Sequence, residues 1–244
     1  MSKRNKWMIA AAVLLVLGLI LCAVAYWMLG SDFKKLSTVK YETRTFEVKE
    51  DFRKIRIDAD EEDVTFARSE DGICKVVCRE EASEQRQVSV QGDTLTIERK
   101  EQHDKLNFGV ITETPGITVY LPGKEYESLK IDCDTGDVVL PGTLSFDRGI
   151  SIDSDTGDIV LTKVTSSGRF HLKTNTGDIV LTACDADTMV LETDTGDITG
   201  TLLSGKIFLV ESDLGDVDVP KTTAGGTCEI STDTGDISIK IVSN

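Results

Sequence analysis

The chain is short of imidazole and of positive charge. Its two histidines, His103 and His171, stand at no ligand spacing from each other or from the six cysteines, which excludes the usual His/Cys zinc centres. Lys and Arg number 27 against 42 Asp and Glu, a formal net charge of −15. Over residues 128–244 the balance is 8 against 20, a net of −12. Such a surface repels phosphate backbones, so nucleic acid is excluded as a partner and an anionic lipid face is disfavoured. Helical periodicity is missing too: beyond residue 30 no apolar run steps by three and four. The cysteines offer no obvious pairing. Cys74 and Cys78 lie four apart on a predicted strand, roughly 13 Å between Cα atoms, too far for a disulfide. Cys133, Cys184 and Cys228 belong to different repeats, and buried free thiols are expected.

What the chain has is a repeat. DTGD stands around Gly136, Gly157, Gly196 and Gly235, NTGD around Gly177 and DLGD around Gly215, the glycines 21, 20, 19, 19 and 20 residues apart. Aligned on the glycine, apolar residues recur seven and five before it (Phe170 and Leu172 for Gly177) and two and four after it (Ile179 and Leu181). Period-two alternation on both sides makes two short strands per repeat with one buried face. Three before the glycine, also inward, stand Cys133, Ser154, Thr174, Thr193, Ser212 and Thr232, small residues suited to a tight corner whose hydroxyls can bond backbone. Gly takes φ > 0 without steric cost and Asp bonds its own backbone, so DTGD reads as a turn. A 20-residue unit cannot bury its apolar face alone. The predicted architecture is therefore all-β: a β-solenoid or β-helix-like stack of ~20-residue two-strand repeats.

Ahead of the repeats, residues 1–6 carry Lys3, Arg4 and Lys6, and residues 7–29 carry no charge. About 20 apolar residues span a bilayer as a helix. Trp7 opens this run and Leu29 closes it, with Tyr26 and Trp27 near its end as interfacial aromatics. The basic cluster places residues 1–6 in the cytoplasm and everything after the span outside: a single-pass cell-membrane protein with an extracytoplasmic C-terminal domain. Ala23-Val24-Ala25 resembles a signal-peptidase site, but the apolar run continues past it, so the anchor is expected to be retained. Before Cys22, Leu21 occupies the place where a lipoprotein box wants a small residue. Residues 30–50 read as a polar tether. Residues 51–127 read as an N-terminal β region that includes a degenerate repeat, with Ile57 matched to Ile131 and Glu62 in place of the glycine. Strands are predicted at residues 74–79, 87–90, 94–99 and 117–121, with a turn at Gln91-Gly92-Asp93 and an exposed loop over residues 101–116. Six regular repeats fill residues 128–244.

Two chemical readings of the corners need weighing. Asp-Thr-Gly resembles the aspartic-protease triplet, but repetition at every corner explains it as a turn. Stacking also places Asp134, Asp155, Asn175, Asp194, Asp213 and Asp233 in one column and Asp137, Asp158, Asp178, Asp197, Asp216 and Asp236 in another, about 4.8 Å apart per rung. Ca²⁺ could bridge such carboxylates, yet backbone amides can offset their repulsion and the Gly-Gly-x-Gly-x-Asp nonapeptide of calcium-binding β-rolls is absent. Weak, screening-type binding is expected, with no catalytic residue and no bound cofactor. His171 points outward by parity.

The charge-free N-terminal stretch, the TVYLP strand at residues 118–122 and the DTGDI repeats together resemble a family of bacterial envelope proteins of unknown function labelled "putative adhesin". The resemblance covers roughly residues 45–244. It implies a solenoid-like domain, often behind one transmembrane helix, and supplies no catalytic residues. The expected function is a non-catalytic, adhesin-like or envelope-associated interaction module, its partner an envelope protein or glycan. The alternative is a secreted carbohydrate-active enzyme on a β-helix scaffold, against which stand the missing repeat insertions and scattered basic residues. The last repeat, with residues 238–241, is expected to form an open edge for a partner or a second copy.

Overall fold

In the computed structural model, residues 3–28, 41–82, 85–100 and 114–242 are described. One helix, α1 (Lys3–Met28), stands at the start of the chain. Its side chains are described at Trp7, Met8, residues 13–21, 23, 24 and 27, and among the described residues no helix is long and apolar enough to cross a membrane. All else is strand and connection: β1 (Tyr41–Val48), β2 (Lys54–Ala59), β3 (Asp63–Arg68), β4 (Cys74–Glu81), β5 (Arg86–Gln91), β6 (Thr94–Arg99), β7 (Gly116–Leu121), β8 (Tyr126–Thr135), β9 (Val138–Thr156), β10 (Ile159–Thr176), β11 (Ile179–Thr195), β12 (Ile198–Leu202), β13 (Lys206–Leu214), β14 (Val217–Asp218), β15 (Gly226–Thr234) and β16 (Ile237–Ile241).

From β8 onward the chain winds as a solenoid with parallel, in-register rungs. Ile131, Ile152, Leu172, Leu191 and Ile230 stack in one column and Val138, Ile159, Ile179, Ile198 and Ile237 in another. All ten are at most 2 % exposed. These two columns mark the two lanes of each rung, one before the TGD corner and one after it. The lanes are not separate short strands, because β9, β10 and β11 run from one corner to the next as single 17- to 19-residue strands. They bend where register slips, six residues past the corner glycine. There Gly142, Lys163 and Ala183 adopt positive φ (104°, 54° and 51°). No sequence signal marked this second corner, since Lys and Ala rarely take the left-handed conformation.

β2 and β3 form the degenerate rung: Ile57 sits opposite Ile131 and Val64 opposite Val138. Glu62, in the glycine's place, accepts the amides of Asp60 and Glu61 and receives the buried Arg86 guanidinium (Nε–Oε1 2.9 Å). A carboxylate thus supplies from a side chain what the other corners draw from backbone. Beyond this rung the stack changes character. β7, β4 and β1 extend one lane, the last two antiparallel, and the β5–β6 hairpin extends the other. Residues 41–48, assigned to the tether by their polar sequence, are therefore strand β1. Only Val48 of it is buried, which is why its pattern escaped notice. Of the predicted loop at 101–116, residues 101–113 lie outside the described residues, and Gly116 opens β7.

At the other end the chain leaves its own order. β11 pairs with β15, not with β13, and β12 with β16, not with β14. The sixth repeat thus lies between the fourth and the fifth, and β13 and β14 form the outermost rung. Glycines permit the insertion. A Cβ on Gly226 would stand 1.7 Å from the Asp187 carbonyl oxygen, and one on Gly225 1.9 Å from that of Gly205. Burial gives the driving force. The inserted rung brings Cys228, Ile230, Ile237 and Ile239 to 2 % exposure or less, while Val217 of the outer rung is 47 % exposed. The open end is therefore the fifth repeat, and the expectation that the last repeat forms it is corrected for β15 and the start of β16: Ile237 and Ser238 are paired on both sides, while among the described residues Ile239, Lys240 and Ile241 pair with β12 alone.

Candidate functional site

Each TGD corner is held by one rule of stacking. The glycine carbonyl of one rung accepts the hydroxyl of the next: Thr174 Oγ1 to Gly157 O and Thr193 Oγ1 to Gly177 O at 3.0 Å, Thr232 Oγ1 to Gly196 O and Ser212 Oγ to Gly235 O at 3.1 Å. The same carbonyl explains the glycine. At Gly177 (φ 148°) a Cβ would lie 2.1 Å from Gly157 O, so both the conformation and the contact exclude a side chain. Ser154 is the exception among the inward hydroxyls, its buried Oγ without a partner among the described residues.

The second aspartate column is likewise consumed by the stack. The Oδ1 of Asp137 accepts the amide of Asp158, that of Asp158 the amide of Asp178, that of Asp178 the amide of Asp197, that of Asp197 the amide of Asp236, and that of Asp236 the amide of Asp216, all at 2.8–2.9 Å. Five of the six carboxylates thus face a backbone donor on the neighbouring rung, and Asp216, on the outermost rung, gives only its amide. In the first column Asn175 Nδ2 donates to Asp155 Oδ1 at 3.0 Å, while Asp134, Asp155, Asp194, Asp213 and Asp233 are exposed. The columns exist as the repeat spacing implies, but in the spatial order of the rungs, so Asp236 precedes Asp216. Among the described residues no group of three His, Cys, Asp or Glu side chains gathers as a metal would require. The Asp-Thr-Gly triplets are corners throughout.

The five described cysteines are free and buried. Burial pushes their thiols up, to about 12 at Cys78, Cys133 and Cys228 and about 11 at Cys74, so they are protonated at neutral pH and poor nucleophiles. His171 is half-buried with Nε2 3.7 Å from Asp153 Oδ1, a carboxylate neighbour that parity alone did not reveal.

The surface most open to chemistry of its own is the outer rung. Among the described residues β13 is hydrogen-bonded to β15 alone, so its other edge carries backbone groups unpaired by any other strand. Along it Ile207 is 40 % and Leu209 55 % exposed, and Leu214 beyond them 68 %. Glu211, Asp213 and Asp216 lie beside them and are exposed. The edge was hidden from sequence reasoning because Phe208, Val210, Val217 and Val219 fit the inward pattern. Being terminal, they are half-buried at best.

A solved structure described as a "putative adhesin" from Bacteroides fragilis superposes with a TM-score of 0.51 at 20 % identity, covering 83 % of this chain and 97 % of that one. Another, described as a "putative cell adhesion protein" from Clostridium sporogenes, aligns with a TM-score of 0.46 at 15 % identity, over 84 % of this chain and all of that one. No curated protein matches the chain. A family model does, over residues 52–244, the span that holds the degenerate rung, the six glycine-cornered repeats and the open end, and the chain belongs to that family, the Toastrack DUF4097 family.

Proposed function

We propose that this protein is a membrane-anchored, extracytoplasmic and non-catalytic interaction module, whose solenoid presents its open end to another component of the bacterial envelope. The observation that carries the reading is β13: an unpaired strand edge flanked by exposed Ile207 and Leu209 on a rigid stack. Edge strands of this kind bind by adding a strand, backbone supplying affinity and alternate side chains specificity. The "putative adhesin" description of the Bacteroides fragilis structure agrees with such a role. The second column of corner aspartates is engaged in holding rungs together, and we propose that cations meet both columns only by screening.

The anchor rests on the sequence. Residues 7–29 are uncharged behind Lys3, Arg4 and Lys6, and about 20 such apolar residues are what a bilayer-spanning helix needs. Protease added to intact protoplasts should remove the repeat domain; full protection would reverse the orientation. For the interaction itself, a photo-crosslinking residue at Leu209 of the full chain in native membranes should trap a discrete envelope partner, and one at Gln91, on the opposite end of the stack, should not. Equal labelling from both positions, or none from Leu209, overturns the reading. Cell-wall and acidic glycans incubated with the protein should be recovered uncleaved.

A further inference from the structure

One depression on the solenoid departs from the acidic surface around it. It lies across β8, β9 and β10, has a volume of about 450 Å³, and is walled by Lys130, Arg148, Arg169 and His171 around the small residues Gly149 and Ser151. Three of the eight Lys and Arg residues of the repeats meet there, and among the described residues no acidic side chain lines it. The strand register makes the gathering. Lys130, Ser151 and His171 form one row across three rungs, and Ser128, Gly149 and Arg169 form the next. The rows thus span about 9.6 Å, twice the strand spacing. Gly149 keeps the floor open. Its φ is 131°, and a Cβ there would lie 2.2 Å from the Arg169 carbonyl oxygen, so no side chain can fill the space.

The charges in this depression are not all spent. Lys130 pairs with Asp132 (2.7 Å), Arg148 with Glu127 (3.2 Å) and His171 Nε2 approaches Asp153 (3.7 Å). Arg169 is exposed and makes no ion pair among the described residues. His171 Nδ1 is buried and has no hydrogen-bond partner among the described residues. A basic pocket with a free guanidinium is complementary to an anionic group. The flat glycine floor and a volume within the small-ligand range suit a sugar ring. The repeat region's net charge of −12 repels long polyanions, which leaves a single acidic saccharide unit as the fitting ligand.

We propose that this depression binds one anionic monosaccharide unit of an envelope glycan, its carboxylate or phosphate on Arg169 and Arg148 and its ring over Gly149. The site lies on strands distinct from the β13 edge, so the two can fail separately. The full chain in detergent is titrated with glucuronate, glucose 6-phosphate, glucose and inorganic phosphate, and binding is read by calorimetry or ligand-observed NMR. Saturable binding of one or both acidic sugars is expected, the preferred arm telling carboxylate from phosphate. Arg169→Gln should weaken it at least about tenfold, the loss of one charge-assisted contact, and Arg148→Gln with Arg169→Gln should abolish it. Lys221→Gln, a charge removal elsewhere, should leave it unchanged. Glucose binding as well as the acidic sugars, inorganic phosphate binding as well as glucose 6-phosphate, failure of both acidic sugars, or indifference to Arg169→Gln would each overturn the proposal.

Discussion

The out-of-order stack makes a sharp demand on distances. Glu192 of β11 is in register with Ser231 of β15, and Ser231 with Glu211 of β13. All three point outward, one residue from the inward Leu191, Ile230 and Val210. Adjacent rungs lie about 4.8 Å apart and alternate rungs about 9.6 Å, while a disulfide needs Cα atoms within roughly 4.4–6.8 Å. The pair Glu192→Cys with Ser231→Cys should therefore oxidise readily in the full chain, and so should Ser231→Cys with Glu211→Cys. Glu192→Cys with Glu211→Cys should not. The native thiols interfere little, because burial holds them protonated at the pH of a mild oxidation; Cys22→Ser removes the remaining one. The 192–231 bridge closes a loop of about 40 residues and should raise stability by up to about 4 kcal/mol on chain-entropy grounds. Non-reducing electrophoresis with peptide mapping reads the bridge, and denaturant unfolding with and without reductant reads the gain. A stack in chain order would exchange the two results, with 192 joined to 211 and 192–231 unreactive, and that outcome would refute the topology together with the assignment of β13 as the open end.

Further outcomes follow from the corners and the core. Ile179→Ala, at a fully buried column position, should cost about 2–5 kcal/mol against at most about 0.5 kcal/mol for outward Lys173→Ala; equal chemical-denaturation effects would contradict the parity. Thr193→Val keeps the shape but leaves the Gly177 carbonyl without its hydroxyl donor, a loss of about 1–3 kcal/mol that Thr193→Ser should largely recover. Millimolar Ca²⁺ and NaCl of matched ionic strength should shift the melting temperature equally; a Ca²⁺-specific rise lost in Asp155→Asn with Asp158→Asn would reveal an ordered site. The buried thiols have folded pKa values raised from 9.0 to about 11 or 12, so the folded state holds protons that the unfolded chain gives up. Their stabilising contribution is complete below pH 9 and is lost between about 9 and 12. Melting temperature should fall across that window, and Cys78→Ala with Cys228→Ala should flatten the slope.

Much of this protein is dictated locally. Period-two alternation around a recurrent TGD names the buried residues of five of the six repeats. The glycine follows from a conformation and a contact that only glycine tolerates. The match of Ile57 to Ile131 places a degenerate rung whose missing glycine is replaced by Glu62. These follow from residue spacing because a strand's two faces and a tight turn are decided within a few residues of chain. Other features needed neighbours distant in sequence. Lys163 and Ala183 carry no mark of the bend they make. Tyr41–Val48 is a strand because β4 offers it an edge. Arg148, Arg169, Lys130 and His171 become one pocket only when three rungs lie in register. The order of the last two rungs was beyond any local pattern, since both fit the repeat equally well. It was decided by which of them buries more completely between neighbours, and by Gly225 and Gly226, which let the sixth rung enter beside the fourth and leave the fifth at the open end.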